Sequence, residues 1–128
     1  MRFMSLAGLV ATVVLACAPP STARSGRDAN VITKEEIASV QVANLYDAVT
    51  RLRPNFLVNR GQSTLRGADN GYPKVYLDRS LLGDINALKT LTPNGIREIR
   101  YYNGAEASSK FGLDNTSGAI EVLSDTSR

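Results

Sequence analysis

Residues 73–123 read PKVYLDRSLLGDINALKTLTPNGIREIRYYNGAEASSKFGLDNTSGAIEVL, and this stretch decides the fold. Apolar and polar residues alternate over 74–78, and a period of two is typical of a half-buried strand. Two further strands are predicted over 96–102 and 118–123. In the last strand we expect the isoleucine and the valine to face inward and Glu121 to face outward.

Two helices are predicted between these strands. Over 84–91 the apolar residues recur every third position, which gives one helical stripe. Over 104–111, Glu106 and Lys110 are spaced for a favourable ion pair, and Gly112 is a typical helix stop. Strands that are joined through helices pair in parallel by right-handed crossovers, so we expect parallel pairing here.

The part of the chain before residue 73 adds two more helices. Thr33 and Glu36 form a capping-box pattern ahead of a short helix over 34–38. Asn44 is placed to cap a longer helix over 45–53, in which apolar residues recur at a helical spacing. Two arginines lie in its last turn and are interpreted as helix-end charges in solvent, Arg51 and Arg53.

Three short strands complete the predicted domain. They lie over 31–32, at an edge of the sheet, over 56–58 and over 62–66. The last of these is expected to form a hairpin with the strand over 74–78, because turn-forming residues separate the two. The predicted fold class is therefore α+β, a single domain with a small mixed sheet and short flanking helices.

Composition excludes several functions. The chain has 128 residues, enough for one domain, and a net charge of +3. Its basic residues are scattered, which disfavours nucleic-acid binding. Histidine is absent and there is one cysteine, so catalytic schemes that pair a serine or a cysteine with histidine fail. We expect no enzyme activity and no cofactor or metal.

The first residues are typical of an export signal. Residues 1–16 carry a positive start and a short apolar run, the pattern of a signal peptide. Val14-Leu15-Ala16-Cys17 resembles a bacterial lipobox, in which the cysteine becomes lipidated and N-terminal. The alternative is an ordinary signal peptide with a chance cysteine. Residues 17–30 are rich in Pro, Ser and Ala and are interpreted as the lipidated cysteine and a flexible tether.

Segments in order along the chain resemble the plug domain of TonB-dependent outer-membrane receptors. NLYDAVTRLRP (44–54) is similar to the family motif LxDaLrrlPg, TLRG (64–67) to IRG, and VYLD (75–78) to vliDG. The other matching segments are VITKEEI (31–37), IREI (96–99), and 107–112 with 118–122. The resemblance covers 31–123, leaves 124–128 as a tail, and implies a plug-like domain.

Departures from the family pattern limit what the resemblance implies. Arg79 stands where the family has glycine after the aspartate, so that turn must differ. No clear TonB box precedes the domain. The chain ends five residues after Leu123, where a receptor would begin its barrel, so we expect a plug-like domain that stands alone. The resemblance therefore supports a fold more strongly than a function.

The implied function is that of a non-catalytic outer-membrane lipoprotein. The domain is expected to act as an interaction or ligand-binding accessory module, held by its lipid on the periplasmic face. Its expected partner is a separate outer-membrane barrel or another envelope protein. The alternatives are a free-standing ligand-binding lipoprotein and the remnant of a truncated receptor.

Candidate binding residues are Arg66, Tyr101 and Tyr102. The two tyrosines are adjacent on a strand and must face opposite sides, so one is expected to be exposed. The alternative is that the tyrosines belong to the strand and core and that Arg66 forms a structural salt bridge.

Acidic residues give two weaker candidates. Asp78 and Asp84 are a possible carboxylate pair, but turn bonding by the first and helix capping by the second are favoured. The loop 114–116 carries oxygen ligands for a hard cation, but one acid in a short polar loop is weak evidence for a metal site.

Overall fold

The computed structural model describes residues 27–61 and 70–127. Its strands are β1 (Val31–Thr33), β2 (Lys74–Leu77), β3 (Ser80–Gly83), β4 (Ile96–Tyr102) and β5 (Ala119–Ser124). Its α-helices are α1 (Lys34–Ser39), α2 (Leu45–Leu52) and α3 (Gly104–Phe111). Three 3₁₀ helices are η1 (Pro54–Leu57), η2 (Ile85–Thr90) and η3 (Leu113–Asn115). The predicted signal peptide, Cys17, most of the tether and the strand 62–66 with Arg66 lie outside the described residues.

The strands form one mixed sheet in the order β1-β4-β5-β2-β3. Short helices flank it, so the predicted α+β class with a small mixed sheet is confirmed. The expectation that successive helix-linked strands pair in parallel is wrong. β4 and β5 are antiparallel although α3 joins them, and the parallel pair is β2 with β5.

The connection between β4 and β5 explains the antiparallel pairing. α3 ends at Phe111, and the next residue, Gly112, has a φ of 105° that allows the chain to turn back through η3. The end of the connection then lies against its beginning. Gly104 and Thr116 are so close that a Cβ on Gly104 would collide with the carbonyl oxygen of Thr116. The connection therefore leaves and re-enters the sheet at the same end, and β5 must run opposite to β4.

One face of the sheet carries the main hydrophobic core. β1, β2, β4 and β5 contribute apolar side chains that pack against α1, α2, η1 and η2. Phe56 is fully buried and stacks on Tyr101 with ring centroids 5.0 Å apart. The predicted strand over 56–58 is wrong, because Pro54 begins a 3₁₀ turn directly after α2. That turn brings Phe56 back onto the sheet.

The other face of the sheet is covered by α3. Tyr76, Ala107 and Ala119 are buried there, with Tyr102 and Phe111 packed against them. Glu121 lies on this face, opposite to the core as predicted. It is not in solvent, however, because only 1% of its surface is exposed.

β3 was not predicted. Asp78 and Arg79 form the two-residue turn between β2 and β3, with φ of 45° and 74°. Such turns favour Asn-Gly or Asp-Gly, and an arginine at the second position gives no turn signal in the sequence. The structure therefore shows a hairpin of β2 with β3. The hairpin predicted with 62–66 involves residues outside the described ranges.

Most predicted helix ends are confirmed. The Thr33 capping box and the Asn44 cap are both present. The helix predicted over 84–91 is the 3₁₀ helix η2, capped by Asp84. Arg53 is not a solvated helix-end charge, because it lies 3.2 Å from the carboxylate of Glu36 in an ion pair with little exposure.

Candidate functional site

The two predicted tyrosines face opposite sides of the sheet, as expected. Tyr101 is 7% exposed and belongs to the main core, and the Arg60 guanidinium lies 4.7 Å from its ring centre. Its hydroxyl has no hydrogen-bond partner among the described residues. Tyr102 is half-buried on the α3 side. The structure therefore assigns Tyr101 to packing and leaves Tyr102 as the candidate.

Tyr102 belongs to a three-residue hydrogen-bonded cluster. Its hydroxyl donates to Glu121 Oε2 at 2.9 Å and accepts from Lys110 Nζ at 2.6 Å. Lys110 Nζ also donates to the same Glu121 oxygen at 2.6 Å. Glu121 Oε1 is buried and has no hydrogen-bond partner among the described residues. The cluster is thus a buried carboxylate held by one ammonium group and one phenol.

The cluster stabilises the charged form of Lys110. Burial disfavours the ammonium, but the hydrogen bonds to Glu121 and Tyr102 and the charge of Glu121 outweigh it and raise the pKa of Lys110. The predicted ion pair of Lys110 with Glu106 is not among the described contacts. Glu106 instead accepts from the backbone of Asn103 as part of the α3 capping box.

A cavity of about 670 Å³ opens beside this cluster, and we call it the α3 groove. Arg100, Tyr102 and Lys110 lie on its walls. The other lining residues come from β4, α3, the start of β1 and the segment before it, namely Tyr101, Ala105, Glu106, Ser109, Val31, Asp28 and Asn30. The groove carries charges of both signs beside an aromatic ring, which suits a polar organic ligand.

A second, smaller pocket of about 260 Å³ shares Arg100, Tyr102 and Lys110 with the α3 groove, and we call it the cationic pocket. Arg79 and Arg97 also line it. Arg100 Nε donates to Glu98 at 2.7 Å, and this hydrogen bond raises the pKa of Arg100. A third pocket, of about 440 Å³, is the aromatic pocket; its residues are Tyr76, Phe111, Arg79 and Lys110.

The acidic candidates have structural partners. Asp78 accepts from the Ser124 backbone at 2.9 Å and from its hydroxyl at 2.7 Å. Burial opposes ionisation of Asp78, but these bonds and the charge of Arg97 lower its pKa. Asp84 accepts from the Asn86 backbone at 2.9 Å as the cap of η2. Asp78 thus binds the end of β5 and Asp84 caps η2, so each carboxylate has its own structural role.

In the candidate cation-binding loop 114–116, the side chain of Asn115 already has hydrogen-bond partners. Asn115 is 3% exposed, and its side-chain oxygen accepts from the Tyr76 hydroxyl at 2.9 Å. Its amide donates to the Gly112 carbonyl. Across residues 27–61 and 70–127, His, Cys, Asp and Glu form no group of three that could hold a metal ion.

The sequence missed the residues that surround Tyr102. Glu98, Arg100 and Tyr102 share one face of β4, because side chains alternate regularly from Glu98 onward, beyond the register shift between Ile96 and Glu98. Arg100 lies directly across from Glu121 on β5. The period-two alternation of β4 places arginine and tyrosine on one side, but nothing in the sequence shows that α3 covers that side.

β3 is the other candidate surface. It lies at an edge of the sheet, and no strand of the described residues pairs with its far side. Leu81 is 57% exposed and Leu82 is 42% exposed. Edge strands with exposed apolar residues are sites where another chain can add a strand.

Comparison with known proteins adds no family to these observations. No protein-family model, curated protein or solved structure matches the chain. None of the helices in the described part of the chain is long and apolar enough to span a membrane.

Proposed function

We propose that this chain is a non-catalytic lipoprotein of the outer membrane whose plug-like domain is an accessory interaction module. Cys17 carries the lipid, and residues 18–30 separate the domain from the bilayer. The domain faces the periplasm and binds an outer-membrane barrel or another envelope protein. The lipobox-like sequence and the resemblance of 31–123 to receptor plugs support this proposal.

The exposed edge of β3 is the observation on which the proposal depends. Leu81 and Leu82 are exposed on a strand whose outer side is unpaired among the described residues. β1, at the opposite edge, has three residues and runs directly into α1, so it offers a shorter template. A partner that adds a strand to β3 would satisfy the free backbone groups and cover both leucines.

In-cell cross-linking tests this proposal. The tagged full chain is cross-linked in living cells and recovered from the membrane fraction, and its neighbours are identified by mass spectrometry. Leu81→Asp places a charge in the proposed interface and is expected to reduce partner recovery by at least about tenfold. Leu113→Asp is the matched control, since Leu113 is 83% exposed on η3 rather than on β3.

Three outcomes would contradict the proposal. If Leu81→Asp retains the same partner at the same yield, β3 is not the docking edge. If Cys17→Ser leaves the protein in the membrane fraction, the lipid anchor is wrong. Absence of any partner for the membrane-held wild-type chain would reject the interaction role.

The α3 groove supports a second candidate function, a free-standing ligand-binding lipoprotein. Arg100 and Tyr102 line this groove together with Lys110. An arginine and a tyrosine beside a cavity of about 670 Å³ form the arrangement expected of a small-ligand site. This candidate needs no partner at β3.

A further inference from the structure

The cationic pocket contains more positive than negative side chains. Four cations line it, namely Arg79, Arg97, Arg100 and Lys110. Two carboxylates line it as well, Glu98 and Glu121. Glu98 is bound by Arg100 at 2.7 Å and Glu121 by Lys110 at 2.6 Å. Two arginines are therefore left without a carboxylate in the pocket.

These two arginines, Arg79 and Arg97, have few partners. Arg97 Nη1 donates to the Ser127 carbonyl at 2.8 Å. Asp78 is influenced by the charge of Arg97, but both of its oxygens accept from Ser124. No hydrogen bond or ion pair joins the Arg79 side chain to another described residue. The pocket thus has donor capacity that its own carboxylates do not use.

The backbone of Arg79 has a conformation that is unusual for a residue other than glycine. Its φ of 74° lies in the left-handed region, at the second position of the β2–β3 turn. Glycine adopts this conformation without strain, whereas a side chain there costs conformational energy. Strained residues of this kind occur at functional sites when the side chain has a role. The guanidinium of Arg79 contributes nothing visible to the fold, but it lines both the cationic and the aromatic pocket.

The aromatic pocket adjoins the cationic one through Arg79 and Lys110. Its wall is formed by Tyr76 and Phe111, whose rings stack with centroids 4.0 Å apart. Phe111 is half-buried, so part of its ring is open to the pocket. An apolar or aromatic group in this pocket can therefore lie next to Arg79, which lines both pockets.

We propose that these pockets bind a small organic anion with an aromatic body. Arg79 and Arg97 hold its carboxylate or phosphate, because guanidinium groups bind planar oxyanions through paired hydrogen bonds. The body of the ligand lies against Phe111 in the aromatic pocket. This inference rests on the ligand-binding candidate function, places the ligand in the two pockets that adjoin the α3 groove at Lys110, and does not depend on docking at β3.

The test is an NMR titration of the full chain in a non-ionic detergent. The probes are phenyl phosphate, benzoate, inorganic phosphate and neutral benzyl alcohol. We expect saturable amide shifts around Arg79, Arg97 and Phe111 with the two aromatic anions. Benzyl alcohol lacks the anionic group and inorganic phosphate lacks the ring, so each should bind more weakly than phenyl phosphate by about fivefold or more.

Arg79→Gly separates a binding role from a folding role. Glycine suits the turn, so this variant should melt no lower than the wild type while its affinity for phenyl phosphate falls by about fivefold or more. Arg97→Gln should weaken binding similarly. Arg51→Gln is the control, because it removes the same charge from an exposed position on α2.

Several outcomes would overturn the inference. Wild-type affinity in Arg79→Gly would remove its central residue, and an equal loss in Arg51→Gln would show only a general charge effect. Shifts outside the two pockets, or no saturable binding of either aromatic anion, would also reject it. The partner cross-linking at β3 examines another surface in cells, so failure of the titration leaves that result unaffected.

Discussion

The Lys110–Glu121 ion pair should contribute much more to stability than an exposed pair of the same geometry. The chain contains a natural comparison, because Lys34 Nζ lies 2.7 Å from Asp125 and Lys110 Nζ lies 2.6 Å from Glu121. The difference is burial. The Asp125 side chain is 40% exposed, whereas that of Glu121 is 2% exposed. Replacing each lysine by methionine removes the charge and keeps most of the aliphatic chain.

The expected magnitudes follow from that difference. Removing one partner of a buried ion pair costs roughly 3–5 kcal/mol, because the other charge stays buried. The Lys110 side chain is 35% exposed, so water can approach the vacated position. We therefore reduce the expected loss for Lys110→Met to about 2 kcal/mol. For Lys34→Met we expect a change in the free energy of unfolding of about 0.5 kcal/mol.

Urea unfolding of the full chain, followed by circular dichroism, measures both variants. At a slope of about 1–2 kcal/mol per molar, a loss of 2 kcal/mol lowers the midpoint by about 1–2 M. Raising the salt concentration should reduce the effect of Lys34→Met and leave that of Lys110→Met nearly unchanged, because buried pairs are screened less. In a Glu121→Gln background, Lys110→Met should cost at least about 1 kcal/mol less than in the wild type.

The reasoning is refuted if the two lysine variants lose the same stability to within about 0.5 kcal/mol. That result would mean that water solvates Glu121 as well as it solvates Asp125. The reasoning is also refuted if Lys110→Met lowers the free energy of unfolding by the same amount in the Glu121→Gln background as in the wild type. The stability would then come from the packing of the Lys110 stem over Tyr102, where Nζ lies 4.3 Å from the ring centre, and not from the charge pair.

Two further predictions concern the ends of β5. Asp78→Asn should lower the free energy of unfolding at neutral pH by about 1 kcal/mol, since charged hydrogen bonds to Ser124 are lost. The pKa of Asp78 is lowered in the folded state, so its contribution is present above the unfolded pKa and is lost as the pH falls through the folded pKa. The difference between wild type and variant should therefore shrink below about pH 4, as measured by urea unfolding across pH. Gly104→Ala should lower stability by roughly 2 kcal/mol, because its methyl group collides with the Thr116 backbone, and thermal unfolding measures this loss.

Matched controls exist for both. Asp114→Asn removes a carboxylate from an exposed residue of η3 and should leave the free energy of unfolding at neutral pH unchanged. A constant difference between wild type and Asp78→Asn down to pH 2 would contradict the linkage argument. Ser109→Ala adds no clash on the exposed side of α3 and should be neutral or stabilising. If Gly104→Ala is also neutral or stabilising, Gly104 and Thr116 do not approach each other as closely as the structure shows.

The elements that were predicted correctly are those whose signal is local. α2 carries its cap at Asn44 and a full apolar stripe in its own sequence, and β5 carries the alternation Ile120-Glu121-Val122. β3 was missed because its turn uses Asp78 and Arg79, an aspartate–arginine pair in place of the usual glycine-containing turn. Local propensity cannot report a turn whose conformation is imposed by the surrounding sheet.

The candidate site was predicted less completely, because it depends on contacts between distant segments. Tyr102 was identified from its position next to Tyr101, and the structure places it in the cluster. Glu121 was expected in solvent, since alternation assigns a residue to a face but does not show what covers that face. Lys110 was placed in a pair with Glu106, four residues earlier, because a sequence reveals neighbours on one helix and not the strand beneath it.

The two faces of the sheet therefore have different roles. The core face is filled by apolar side chains from four helical segments and four strands, and it contains most of the buried hydrophobic residues. The α3 face is covered by one helix of eight residues whose only buried residue is Ala107. Such a short helix cannot fill that side with apolar groups, so a carboxylate, a phenol and a set of cations occupy the rest, with cavities between them. Buried polar groups that lack part of their hydrogen bonds reduce stability. Such groups are concentrated on the α3 face, which contributes less to the core, and this is the physical reason to look for binding there.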